Sequence, residues 1–292
     1  MELISTVVQL RSRQSLEKYP FTGRQVQAWF LREVGRHDPT LANELHQQES
    51  ESENKKQLLR AYTLSGLYKG PHPVWQLAKG EWCRLRITSL TRELSEFLLN
   101  KVLPELLPEA RFGQVEFDVQ GWTPEPGSDP WSGMETYASL MRQALISKDP
   151  RMELDFISPT SFSKNGRFSE LERDMPLPIP DMVFGNYLKH WLAFSEVTLP
   201  DEIGDFIEDC LVVNEFKIKS ERVQFSYQQA QRAATGFTGQ VRFAILRNKR
   251  FGANWEHYAN IVRMLAYYSF YCGTGRQTTV GLGQTRFMNP DR

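Results

Sequence analysis

The residues best suited to chemistry lie near the end of the chain, where GlyThrGlyArgGlnThrThrValGlyLeuGlyGln fills positions 273–284. Gly273, Gly275, Gly281 and Gly283 can take positive φ and allow close backbone approach. Consecutive N–H groups could then face phosphate oxygens, with Thr274 and Arg276 adding side-chain donors. The same glycines would equally serve a tight turn. Element order argues against a dinucleotide loop or a P-loop: those leave a strand and open a helix, whereas this run follows a helical segment and enters a strand. Further cations precede it. Lys217 and Lys219 alternate on one face of a strand, and Lys249-Arg250 forms a basic loop. From Glu215 to Arg292 there are 12 Lys or Arg against 4 acids, which leaves 23 against 31 for the preceding residues. A formal net charge of zero therefore hides a basic last quarter, either a solvated face or a phosphate-binding surface.

Proton transfer near neutrality calls for imidazole, and the chain offers His37, His46, His72, His190 and His257. Residue type alone does not choose among them, and a lone histidine is more often a hydrogen-bonding surface group. His190, inside a LysHisTrp helical segment, reads as structural. Cys83, Cys210 and Cys272 are far apart and lack a partner at metal-ligand spacing. They read as reduced thiols, with neither disulfide nor zinc, and no metal or cofactor is expected.

The elements that would position these groups follow from pattern. β-Branched residues at 4–10 predict a strand, and Thr22-Gly23 introduces a helix over 23–35. Asp38 caps a short second helix with Pro39 at its first position, ending near His46. The polar run 47–57 predicts an exposed loop. Alternation then predicts strands at 58–67 and 82–88, a helix at 91–103 and a strand at 114–119. Trp122–Gly133, with three prolines and two glycines, reads as a linker. A second cycle has a strand at 152–157, a helix at 181–194, strands at 209–218 and 240–246, a helix at 255–270 and a terminal strand. The order β, α, β, β, α, β thus occurs twice, giving modules over 1–122 and 134–292.

Bulk properties agree with two soluble modules: 292 residues, 40% apolar and 24% charged. No segment approaches the ~18 uninterrupted apolar residues of a membrane span. The opening residues lack the pattern of a secretory signal, so a cytoplasmic protein is expected.

The GTGRQTTVGLGQ segment resembles the glycine-rich loop between last helix and last strand in the RAMP superfamily. LDFISPTSF at 154–162, PLPIPDMVFGNYLKHW at 176–191, GFTGQVRFAI at 236–245 and DPTLANELH at 38–46 are similar, in family order, to the CRISPR-associated endoribonucleases that process pre-crRNA. The resemblance implies an α+β protein of two tandem ferredoxin-like (RRM-like) βαββαβ domains that binds CRISPR repeat RNA. It also implies metal-independent cleavage by the 2'-hydroxyl, leaving a 2',3'-cyclic phosphate and a 5'-hydroxyl. Such chemistry needs a base, an acid and positive charge on the phosphorane. His46, which ends DPTLANELH where similar members carry their catalytic histidine, is the expected acid or base, with His37 in reserve. Lys55 or Lys56, just beyond, would supply the ammonium.

The same match places Leu31 where some relatives have a tyrosine, for which Tyr19 or Tyr62 could substitute. RNA contact is expected from Gly273, Thr274, Gly275, Arg276, Gly281 and Gly283, and from Lys217, Lys219, Lys249 and Arg250. Most of the aromatic run Tyr267, Tyr268, Phe270 and Tyr271 should be core. Other subunits of an effector complex are conceivable partners, and the chain should act as monomer or homodimer. The alternatives are a non-cleaving RAMP subunit that holds RNA, and a metabolic enzyme whose glycine loop takes a phosphorylated metabolite.

Overall fold

A computed structural model describes residues 1–17, 22–47, 59–146, 149, 151–166, 169–225 and 233–288. The chain divides into two compact units. The first comprises Met1–Met134, Gln224–Arg232 and Thr279–Gly281, and the second comprises Glu135–Val223, Ala233–Thr278 and Leu282–Arg292.

In the first unit, β1 (Leu3–Ser12) is followed by α1 (Gly23–His37) and α2 (Pro39–Gln47). Three short strands come next, β2 (Tyr62–Leu64), β3 (Tyr68–Lys69) and β4 (His72–Pro73), and then β5 (Trp82–Ser89). The helix α3 (Arg92–Phe97) runs on into a π turn at Leu98–Val102, and β6 (Glu109–Phe112), β7 (Val115–Thr123) and β8 (Gly133–Glu135) complete the unit. β7, β1, β5 and β2 are neighbours in that order, every pair antiparallel, which is the ferredoxin-like arrangement expected from the element order. Alternation sets the faces: Val8, Leu10, Leu85 and Ile87 turn into a core shared with Val26, Trp29, Phe30 and Val34 of α1. Thr22 begins α1 without capping it, because its hydroxyl accepts the Leu67 N–H at 2.7 Å instead.

The stretch read as a linker is folded and belongs to this unit. Trp131, 4% exposed, lies 5.0 Å from the Arg86 guanidinium, Arg86 donates to the Ser5 hydroxyl at 2.6 Å, and Arg84 pairs with Asp129 at 2.7 Å. Proline and glycine there shape a compact turn that covers the open face of the sheet.

The second unit starts with α4 (Tyr137–Ala144) and β9 (Arg151–Thr160), then a hairpin of β10 (Phe162–Gly166) and β11 (Ser169–Met175). Helices α5 (Pro180–Phe194) and α6 (Ile203–Cys210), strands β12 (Leu211–Gln224) and β13 (Ala233–Ile245), α7 (Trp255–Cys272) and β14 (Thr285–Met288) follow. The sheet order β12-β13-β9-β14 is a second ferredoxin-like arrangement. Its inner face packs Phe243 on Phe184 of α5, with ring centroids 5.2 Å apart, and beyond it Trp191 of α5 meets Tyr268 of α7 at 5.3 Å. Its outer face carries paired charge: Arg242 meets Glu153 at 2.8 Å and also Glu215, while Arg286 meets Asp155 at 3.0 Å. The hairpin, α4 and α6 were not foreseen; α4 and α6 are eight residues each, too short for periodicity to separate from loop.

Cys83, Cys210 and Cys272 are all buried and in no disulfide, and burial pushes the Cys83 thiol up to about 12. No described helix is long and apolar enough to cross a membrane.

Candidate functional site

Two regions gather the sequence-derived candidates. In the first unit, α2 is held at its start by Asp38, whose carboxylate accepts the Leu41 N–H at 2.9 Å while its carbonyl accepts that of Ala42. This is the expected cap, with Pro39 at the first helical position. Asp38→Ala should therefore cost about 1 kcal/mol, seen as a lower denaturation midpoint at unchanged slope. Leu45 anchors the last turn of α2 in the core, 6% exposed, and the next residue, His46, is exposed to solvent. His37 ends α1 with its side chain only 14% exposed; its Nδ1 lies 3.9 Å from Glu105 Oε2, and its Nε2 is buried without a hydrogen-bond partner. Of the two, His46 has the more exposed imidazole.

Lys55, Lys56 and Tyr19 lie outside the described residues. Tyr62 is fully buried in the core and receives a 3.4 Å hydrogen bond from Gln27, so it is a packing aromatic. Leu31 packs against the same core, as an apolar residue there should. Sequence reasoning missed Arg60, whose Nη1 donates to the Leu45 carbonyl at 3.4 Å and so brings a guanidinium to the end of the helix that carries His46. No sequence pattern singled it out, since a lone arginine after Leu58-Leu59 carries none.

The glycine run leaves α7 through Gly273 (φ 66°), turns at Gly275 (φ 76°), forms a 3-10 turn at Thr278–Val280 and enters β14 through Gly283 (φ 68°). The glycines serve close packing. A Cβ at 275 would lie 2.3 Å from the Ser161 carbonyl oxygen, and one at 283 would lie 2.0 Å from that of Thr274. The amides expected to face a phosphate are engaged inside the fold. Gly273 donates to Ser269, Thr274 to Gly283, Gly275 to Asn186 Oδ1, Arg276 to Ser161 and Gly283 to Pro159. Backbone N–H groups from 273 to 276 thus form no anion nest, because the loop spends them on its own shape. Thr274 is likewise inside, its hydroxyl 2.7 Å from both Tyr187 Oη and Thr285 Oγ1; burial pushes the Tyr187 phenol well above its ordinary value. Gly281 groups with the first unit.

The side chain of Arg276 is what the loop presents, 22% exposed and 3.3 Å from Asp174. Among the other cations, Lys217 and Lys249 are exposed, and Lys219 is paired with Glu221 at 2.5 Å. Arg250 is gripped by Asp205 and by Asp209 (2.6 Å), hydrogen bonds that raise its guanidinium further above its ordinary value and take up its charge within the unit. His190 is buried, with Nδ1 2.8 Å from the Asn186 carbonyl and its pKa lowered by desolvation, in keeping with a structural role. His72 and His257 stand exposed on other elements. Tyr268 and Tyr271 are core, while Tyr267 packs on Phe287 at 4.7 Å.

Residues 154–285 match the family model described as CRISPR-associated endoribonuclease Cas6. A solved Cas6 product complex is 24% identical with a TM-score of 0.77 over 98% of this chain and 100% of that one. The chain has the Cas6 fold. The family resemblance read from the sequence is thereby borne out. A second Cas6 product complex superposes with a TM-score of 0.73 at 21% identity, over 99% of this chain and 100% of that one. Cas6 of Thermus thermophilus gives 0.67 at 21% identity, over 98% of each chain. Among curated proteins none matches the chain in sequence. The Cas6 match runs from within β9 through the glycine run to the start of β14, and DPTLANELH lies outside it.

Proposed function

We propose that the chain binds CRISPR repeat RNA and cleaves pre-crRNA within each repeat without a metal. The observation that carries this is an exposed imidazole, His46, at the end of a capped helix in a chain whose whole length follows the Cas6 fold. His46 takes the proton of the 2'-hydroxyl or gives one to the leaving 5'-oxygen, roles that an imidazole's two ring nitrogens can fill. Lys55 or Lys56 neutralises the phosphorane, and His37 is the reserve base. Arg276, Lys217, Lys219 and Lys249 hold the ribose-phosphate chain, with Arg250 a lesser contributor because two aspartates already satisfy it.

The test is a repeat transcript incubated with the purified protein in excess EDTA. The expected product set is one cut per repeat, an upstream fragment ending in a cyclic phosphate, and a downstream fragment that accepts a 5'-label without prior phosphatase treatment. Cleavage that disappears with EDTA and returns with a divalent cation would overturn the mechanism.

A second reading, an RNA-holding RAMP subunit that does not cut, is favoured by Leu31, an apolar residue packed against the core where some relatives carry a tyrosine. It predicts retention of intact repeat RNA, with affinity that falls as salt rises.

A further inference from the structure

We infer that Asp174 occupies an anion site meant for an RNA phosphate. Two donors converge on its carboxylate: Arg276 Nη1 lies 3.3 Å from Oδ1, and the Thr235 backbone N–H donates to Oδ2 at 3.3 Å. A guanidinium and a backbone amide on two oxygens of one centre form a set that a phosphodiester's non-bridging oxygens also satisfy. Thr235 lies outside the register in which β13 pairs with β9, which begins at Phe237↔Thr160. Its N–H therefore points to a side chain rather than into that ladder.

The placement of the site argues that it is built. Asp174 sits in β11 opposite Ser163, at the base of the β10–β11 hairpin. Arg276 is tied to the other side of that base, through its own N–H to the Ser161 carbonyl at 3.0 Å. The approach is so close that position 275 has no room for a Cβ, and the Gly275 amide is fixed by Asn186 Oδ1 at 3.0 Å. The backbone beneath Arg276 is thus rigidly placed, while the guanidinium and carboxylate remain partly open, 22% and 31% exposed. A phosphate can reach the pair and exchange with the carboxylate without moving the loop.

The consequence is a built-in competitor. Each RNA strand that engages Arg276 must displace Asp174, which weakens every polyanion at this position and favours one held by further contacts elsewhere. The inference rests on the proposed RNA contact of Arg276 and sharpens it.

Binding of a fluorescein-labelled single-stranded oligoribonucleotide, followed by anisotropy at low salt, tests it in the full chain. Asp174→Asn keeps an acceptor for Thr235 and removes the charge, so affinity should rise about three- to fivefold, the scale of a partly exposed ion pair. Arg276→Ala should weaken binding, and adding Asp174→Asn to Arg276→Ala should change nothing more. Equal melting temperatures for the variants confirm that folding is intact. If Arg276→Ala binds like the parent, the RNA-contact reading of Arg276 fails. If Arg276→Ala weakens binding but Asp174→Asn leaves it unchanged or weakens it too, Asp174 only positions the arginine and the exchange is overturned. A gain from Asp174→Asn that persists in Arg276→Ala would reduce the effect to long-range charge, which also overturns it.

Discussion

Replacing His46 with alanine leaves repeat RNA bound but stops strand scission, with a rate loss of about two to four orders of magnitude, the usual contribution of a positioned acid or base. The separation of binding from cutting follows from where the side chain sits. Leu45 fastens the last turn of α2 and Asp38 fastens its first, so deleting an exposed imidazole between the helix end and solvent removes no core contact. Single-turnover cleavage and anisotropy on the same preparation measure the two effects. His37→Ala should cut at nearly the parental rate, because its Nε2 is enclosed and its Nδ1 faces Glu105. A variant pair with the opposite outcome would keep the proposed reaction and move the acid–base role to His37. Full activity in both variants would remove the histidines from the mechanism.

Gly283→Ala is expected to destabilise the second unit by at least about 3 kcal/mol, on the order of 10 °C in melting temperature. The cause is steric and specific. Backbone at φ 68° already disfavours an L side chain, and the new Cβ would stand 2.0 Å from the Thr274 carbonyl oxygen, which cannot withdraw without breaking the loop's backbone pairing. Gly185→Ala in α5 is the control. Its Cβ meets nothing within 4 Å and its residue is helical, so the change should be neutral or stabilising by up to about 1 kcal/mol. Thermal unfolding followed by circular dichroism distinguishes the two, and equal melting temperatures would show that the loop can be rebuilt around a methyl group.

Much of the architecture was legible because each ferredoxin-like cycle repeats strong local signals. β1, α1, α5 and α7 each carry long, regular apolar patterns, and Asp38-Pro39 announced α2. Elements decided by tertiary context were not legible. The β10–β11 hairpin, FSKNG and SELERDM, carries few apolar residues to mark it as strand, and the turn around Trp131 looked like a connector because its proline and glycine content describes local shape, not what the shape packs against. At the candidate site, residue types were readable and their commitments were not. Four glycines suggested free amides, yet the amides of Gly275, Arg276 and Gly283 go to Asn186, Ser161 and Pro159, which lie far away in sequence. Arg250 looked like an available cation until α6 supplied two aspartates, and Arg60 passed unnoticed because a single arginine carries no pattern.

The division of labour within the glycine run has an evolutionary corollary. Its main chain is consumed in holding its own course, so what it offers outward is written in replaceable groups such as Arg276 and the exposed Gln277. Under the proposed RNA contact, a lineage whose target transcript drifts can retune this rim by single substitutions while the scaffold beneath stays untouched, whereas a nest of amides would have bound recognition and foldability to the same atoms.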